Sequence, residues 1–292
     1  MKVTNASTYR TLLGQLERNG TRLNELRLTA VSGKKLVRPS DDPGAVRSLL
    51  AARSDIRGTE RYIETMGSAL DRLQFTDDQL DRGGDVLIRA KELAIGSLNG
   101  ALSAEDRQSM AEEVGHLRQE LLGVANAEMG GRYLFGGFRD DAPPFGDAPP
   151  HAYGGDGGAL NLEIGPGEQV RVNAPGDELF KNGVDLFALL EGFEADLRAD
   201  DTAGIQGRLG DLDAGMEQLR SERSRLGSTA ARIEEARGHM EGVKVDMQMV
   251  LSRIEDADIV ETISSLTQQE AAYEAALSVT SKISQLSILK YL

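Results

Sequence analysis

From Ile205 to Ile254 apolar residues recur at alternating steps of four and three, through Leu209, Leu212, Met216, Leu219, Leu226, Ala230, Ile233, Met240, Met247 and Leu251. An average period of about 3.5 keeps one narrow stripe facing a neighbour and implies a left-handed supercoil. Globular helices average roughly 10–14 residues, so this stretch predicts a long coiled-coil-like helix that needs a partner along its length. Arg223, Arg237 and Lys244 interrupt the stripe. Their long stems can cover apolar surface while the charged heads reach water.

A second long helix is predicted from about Pro43 to Asn99, where Met66, Leu73, Leu80, Leu87 and Ala94 recur every seven residues, flanked by Ile56, Ile63 and Leu70. Gly83-Gly84 lies inside it and predicts a local bend, since each glycine costs about 1 kcal/mol relative to alanine. A third helix is expected to open at Ser103, whose hydroxyl can cap the Asp106 amide. Its stripe is Met110, Val114, Leu117, Leu121 and Val124. From Gly130 the texture changes, with paired glycines and prolines that a helix cannot carry. Leu160, Leu162 and Ile164, then Val170 and Val172, alternate with polar residues across Gly165-Pro166-Gly167, which predicts a β-hairpin. Helical spacing returns at Leu186, Leu189, Leu190, Phe193 and Leu197.

Both ends carry apolar stripes of their own. Leu12, Leu16, Leu23 and Leu26 form one, with Asn19 at a position where asparagine sets register. Ile263, Leu266, Tyr273, Leu277, Ile283 and Leu286 are the C-terminal counterparts. Prolines and acids at Arg38-Pro39-Ser40-Asp41-Asp42-Pro43 and Glu255-Asp256-Ala257-Asp258 separate these ends from the long seams. The fold class is therefore mainly α: a long antiparallel coiled-coil-like helical rod built from both chain ends, with a small β-rich insertion domain. Three nested domains are expected, 1–42 with 257–292, 43–139 with 196–256, and 140–195. End helices that cannot cover themselves point to assembly, so these ten stripe residues are the candidate assembly interface.

Composition excludes more than it identifies. With no cysteine there is no disulfide, thiolate nucleophile or Cys-ligated metal. A formal charge of −14 opposes binding to nucleic acid or to anionic membranes. No apolar run approaches the roughly 20 residues of a membrane span, and the first residues lack a signal-peptide core. Aromatic residues make up only 4% of the chain, which favours thin aliphatic seams.

Catalytic patterns are absent. Ser32 and Lys35 have the Ser-x-x-Lys spacing of some acyl-transfer enzymes without its companion motifs, and a helix-ending turn at Gly33 accounts for them. Of the three histidines, His116, His151 and His239, His116 and His239 lie on predicted helices without an i, i+4 histidine, and solvated helix faces account for them better than metal binding. Gly154-Gly155-Asp156-Gly157-Gly158 is not followed by Gly-Lys-Ser/Thr and reads as a surface turn. Asp41-Asp42 and Asp140-Asp141 read as solvated acids of helix starts and loops. No catalytic, cofactor-binding or metal residue is expected, and the chain is expected not to be an enzyme.

Ser32-Gly33-Lys34-Lys35-Leu36, Arg38-Pro39-Ser40-Asp41-Asp42-Pro43 and Arg253-Ile254-Glu255-Asp256-Ala257-Asp258 resemble the flagellin and hook-associated protein family of bacterial axial proteins. Arg132-Tyr133-Leu134-Phe135-Gly136-Gly137-Phe138, Ala271-Ala272-Tyr273-Glu274-Ala275-Ala276-Leu277 and the ending at Tyr291-Leu292 look most like its junction members, which connect hook to filament. The resemblance implies a structural subunit of the bacterial flagellum, secreted through the flagellar export apparatus, with 1–40 and 257–292 lining an inner tube and 140–195 facing outwards. The partners it implies are copies of the chain in a ring, another hook-associated protein, flagellin, and an export chaperone at the C-terminal helix. A filament flagellin is the alternative within the family, and a cytoplasmic coiled-coil signalling module is the alternative outside it.

Overall fold

The computed structural model describes the backbone of residues 5–36, 38 and 42–288, and the side chains of residues 10–36, 38 and 42–282. The chain order is α1 (Asn5–Ser32), α2 (Pro43–Ser97), α3 (Ala104–Ala125), β1 (Glu128–Met129), β2 (Arg132–Tyr133), β3 (Asn161–Gly165), β4 (Glu168–Arg171), α4 (Gly176–Phe180), α5 (Leu186–Arg198), α6 (Thr202–Glu255) and α7 (Ile259–Ile288). It is mainly α with a small β-rich insertion, as the periodicities predict. Two compact units result, Met1–Thr59 with Val243–Leu292, and Glu60–Gly242.

In the Glu60–Gly242 unit α2 and α6 run antiparallel, as ion pairs from Lys91 to Asp213 at 2.5 Å and from Arg223 to Asp77 at 2.9 Å require. Their seven-residue repeats form the seam. Met66, Leu73, Leu80, Leu87 and Ala94 are buried, and so are Ile205, Leu212, Leu219, Leu226 and Ile233. Arg223 stands in the stripe because Asp77 and Asp81 neutralise it. α2 does not end at Gly83. A methyl group there would lie 3.4 Å from Leu219 and 3.6 Å from Val124, ordinary contact distances, so Gly83 marks where side chains of α6 and α3 meet α2. Beyond Ile233 the α6 repeat continues in sequence, but Met240 is only half-buried and Arg237 is exposed, ion-paired with Glu241 on its own helix.

α3 opens as expected. The Ser103 hydroxyl accepts from the Asp106 amide at 3.1 Å, and the Asp106 carboxylate accepts from the Ser103 amide at 2.9 Å. These reciprocal bonds satisfy two amides that a helix start otherwise leaves free. β3 and β4 pair antiparallel, Leu162 opposite Val170, with a register shift between Glu163 and Gly165 where the strand enters its turn. The few aromatic residues are concentrated here: Phe135, Phe145, Phe180, Phe187 and Phe193 are all fully buried. Phe135 and Phe145 meet Phe180 edge-on, with ring centroids 5.4 and 5.6 Å apart. Away from the aliphatic α2–α6 seam, aromatics scattered in the sequence converge where α4 and the loops carrying Phe135 and Phe145 meet α5. His151 is also buried against Phe187, its Nδ1–H donating to the Gly146 carbonyl at 2.8 Å and its Nε2 facing Arg118 at 3.4 Å. His116 and His239 are exposed, as a solvated helix face implies.

Candidate assembly interface

The contiguous apolar core lies wholly in the Glu60–Gly242 unit. In the other unit the buried apolar side chains among the described residues are Leu23, Leu49 and Ile56. The exposed ones show the reverse distribution. Twelve of the sixteen large apolar side chains exposed among the described residues belong to the unit formed by the chain ends, including Val31 at 89% and Val260 at 81% exposure. One unit has covered its apolar surface and the other has not.

α1 and α7 pack against each other antiparallel. The Tyr273 ring lies against Gly20, where a methyl group would meet its Cε2 at 3.4 Å. Arg27 pairs with Glu270 at 2.8 Å, and the Gln269 amide donates to the Asn19 carbonyl at 3.3 Å. Of the ten stripe residues, Leu23 is buried at 6% exposure. Leu12, Leu16, Leu26, Leu266 and Tyr273 are half-buried. Ile263 and Leu277 are exposed at 52% and 44%. The side chains of Ile283 and Leu286 lie outside the described residues. The helix pair thus buries one edge of each stripe and leaves the other in water.

Where the helices reverse, the two sequence motifs near the chain ends meet. α1 ends at Gly33, whose φ of 70° and amide bond to the Thr29 carbonyl are those of a glycine helix stop. Lys34 and Asp256 then form an antiparallel bridge. The Lys35 amide donates to the Glu255 carbonyl at 2.8 Å, and the Ala257 amide to the Gly33 carbonyl at 2.9 Å. The Glu255 carboxylate takes ion pairs from Lys34 and from Arg53, the latter at 2.6 Å. Burial works against its charge, but the hydrogen bonds from Lys34 and Arg53 outweigh that and hold the carboxyl below the usual range. Asp258 opens α7 by accepting the amides of Val260 at 2.9 Å and Glu261 at 3.1 Å. Asp42 does the same for Gly44 and Ala45 at the start of α2.

The chemistry here is packing and charge. The Ser32 hydroxyl accepts from the Lys34 amide at 3.2 Å, and the Lys35 ammonium donates to the Arg253 carbonyl at 2.6 Å. In the 154–158 turn the amides of Phe138 and Gly158 are taken by the Asp156 carboxylate at 2.7 and 3.0 Å, which leaves that carboxylate where an anion would sit. Among the described residues no group of three or more His, Asp or Glu converges as a metal site, and no helix is long and apolar enough to cross a membrane. Sequence reasoning missed Glu255 as a meeting point and missed the exposed Val245, Met249 and Val250 of α6. The acid-rich break around Glu255 was visible as a helix stop, but its cationic partners are over 200 residues away.

Comparison with known proteins places this arrangement. The family model of the bacterial flagellin N-terminal helical region matches residues 3–140, and that of the bacterial flagellin C-terminal helical region matches residues 209–292. Flagellar hook-associated protein 3 of Escherichia coli (strain K12) is 25% identical over 284 residues, 89% of each chain. Flagellin FlaB1 of Treponema pallidum (strain Nichols) is 25% identical over 272 residues, again 89% of each. The crystal structure of Xanthomonas campestris FlgL shares the fold with a TM-score of 0.63 at 19% identity, covering 69% of this chain and 99% of that one.

Proposed function

The chain belongs to the bacterial flagellin family, and on that premise we propose that it is a hook-associated junction subunit of the flagellum, connecting hook to flagellin filament through packing of its terminal helices. The observation that carries the assembly role is the distribution of apolar surface: the unit built from the chain ends exposes what the other unit buries. Each large aliphatic side chain covered on assembly contributes roughly 1.5–3 kcal/mol before ordering entropy is subtracted. The family is one of structural flagellar proteins, and the packing described above calls for no catalytic step.

Residues 1–42 with 257–292 form the assembly domain in this reading, 43–139 with 196–256 the helical wall, and 140–195 the outward module. The partners are copies of this chain in a ring, another hook-associated protein on the hook side and flagellin on the filament side. The chain reaches the cell exterior through the flagellar export apparatus, with a chaperone covering the C-terminal helix beforehand. The hook-associated relative, matched over 89% of both chains, supports the junction role. The equal identity to Treponema FlaB1 is the observation that favours the second reading, a filament flagellin.

A deletion strain separates the two. Cells lacking the chain are expected to keep their hooks and release flagellin subunits into the medium. Filaments of normal length on those cells overturn the junction reading, and hooks without any released flagellin favour the filament reading.

A further inference from the structure

Glu255 closes a 54-residue helix, yet its side chain is only 7% exposed. Cations from two separate stretches converge on one of its carboxylate oxygens, Lys34 just after α1 and Arg53 on α2. Lys35 adds a third positive charge through its bond to the Arg253 carbonyl at the same helix end. Positive charge suits a helix C-terminus, where the carbonyls are unpaired and the dipole is negative. The neighbouring acid, Asp256, is turned to the Ser252 hydroxyl at 2.6 Å and does not compete for these cations. Only the carboxylate of this cluster is buried, Lys34 and Arg53 being 45% and 40% exposed. Solvent screening and desolvation therefore both offset the attraction, and the best attested use of such a pair is to fix register. The register in question is the bridge of residues 33–35 with 255–257, from which α1 and α7 depart.

We propose that Glu255 is the positioning residue of the terminal helix pair: by holding Lys34 and Arg53 on one carboxylate it locks the bridge between the two helix reversals, so that α1 and α7 are offered to neighbouring subunits in one orientation. The lock is independent of the functional reading; only its consequence for assembly rests on that reading.

Hydrogen exchange on the full chain tests it. In Glu255→Gln, which keeps shape and removes charge, the Lys35 and Ala257 amides are expected to exchange about tenfold faster or more, the size of a lost charged hydrogen bond. The amides of Leu80 and Leu219 in the other unit should keep their protection. Lys34→Met and Arg53→Met, each leaving one cation in place, should fall between wild type and Glu255→Gln. The variant should also restore filaments to deletion cells less well than wild type. Unchanged exchange at Lys35 and Ala257 overturns the proposal, and so does faster exchange with undiminished filament recovery. Failure of the wild-type chain to restore filaments would strike the junction reading instead, and exchange alone then decides the lock.

Discussion

Two glycines on α6 have opposite reasons to be there. A methyl group at Gly215 would come within 2.6 Å of Leu186 Cδ2 and 3.4 Å of Leu87 Cδ1, inside the core, whereas nothing lies within 4 Å of one at Gly210. Gly215→Ala is therefore expected to cost about 1–3 kcal/mol by overpacking. Gly210→Ala should stabilise by about 0.4–1 kcal/mol, through helix propensity and a less free unfolded chain. Urea denaturation of the two variants should move the midpoint in opposite directions. Glu255 gives a prediction in pH. Its folded-state carboxyl lies below its ordinary value of 4.5, so its contribution is complete above that value and is lost as pH falls through the lower folded value. Between about pH 5 and pH 3 the thermal stability of wild type should fall more steeply than that of Glu255→Gln; parallel curves would remove the carboxylate from the account. At this scale the seam residues were legible because a seven-residue repeat is written in contiguous sequence. Glu255, Gly215 and His151 were not, because what surrounds each is brought there by distant chain.

Local devices were the most readable elements. The Ser103 cap needs only residues 103–106, and the β3–β4 hairpin only its alternation and a Gly-Pro-Gly turn. Ser103→Ala is expected to lower stability by about 1 kcal/mol, and Ser103→Asp by only a few tenths, because aspartate accepts the same amide. Thermal unfolding of the pair checks this, and equal losses would show that the hydroxyl is not acting as a cap. The α6 seam was readable in period but not in extent. Its repeat runs on to Ile254 across Arg223, Arg237 and Lys244, while the fully buried apolar positions of the seam end at Ile233 and Met240, Met247, Leu251 and Ile254 are only half-buried. Periodicity reports which face a helix would bury, and only the number of elements packed on that face decides whether it does. The aromatic cluster is the converse case. Phe135, Phe145, Phe180 and Phe187 share no short-range pattern, so their convergence follows from the docking of α4 and the loops carrying Phe135 and Phe145 on α5. Phe180→Ala should cost about 3–5 kcal/mol.

On the scale of the whole molecule, one unit holds a completed core and the other holds apolar side chains without cover, and that asymmetry separates folding from assembly. Residues buried in the free chain should report on stability, and residues exposed in it should report on incorporation. Leu23 belongs to the first class and Ile263 and Leu277 to the second, although all three occupy equivalent places in the sequence stripes. Leu23→Ala is expected to cost about 2 kcal/mol or more, and to loosen the α1–α7 pair in hydrogen exchange. The double variant Ile263→Glu with Leu277→Glu should change the free chain by no more than about 0.5 kcal/mol per site, as surface substitutions do. In the assembled state the same two carboxylates would have to leave water against apolar neighbours, at several kcal/mol each unless paired. Where deletion cells secrete this double variant, the folded protein should therefore not restore filaments. Filament recovery equal to wild type would mean that the exposed edges of α7 are not the faces covered on assembly.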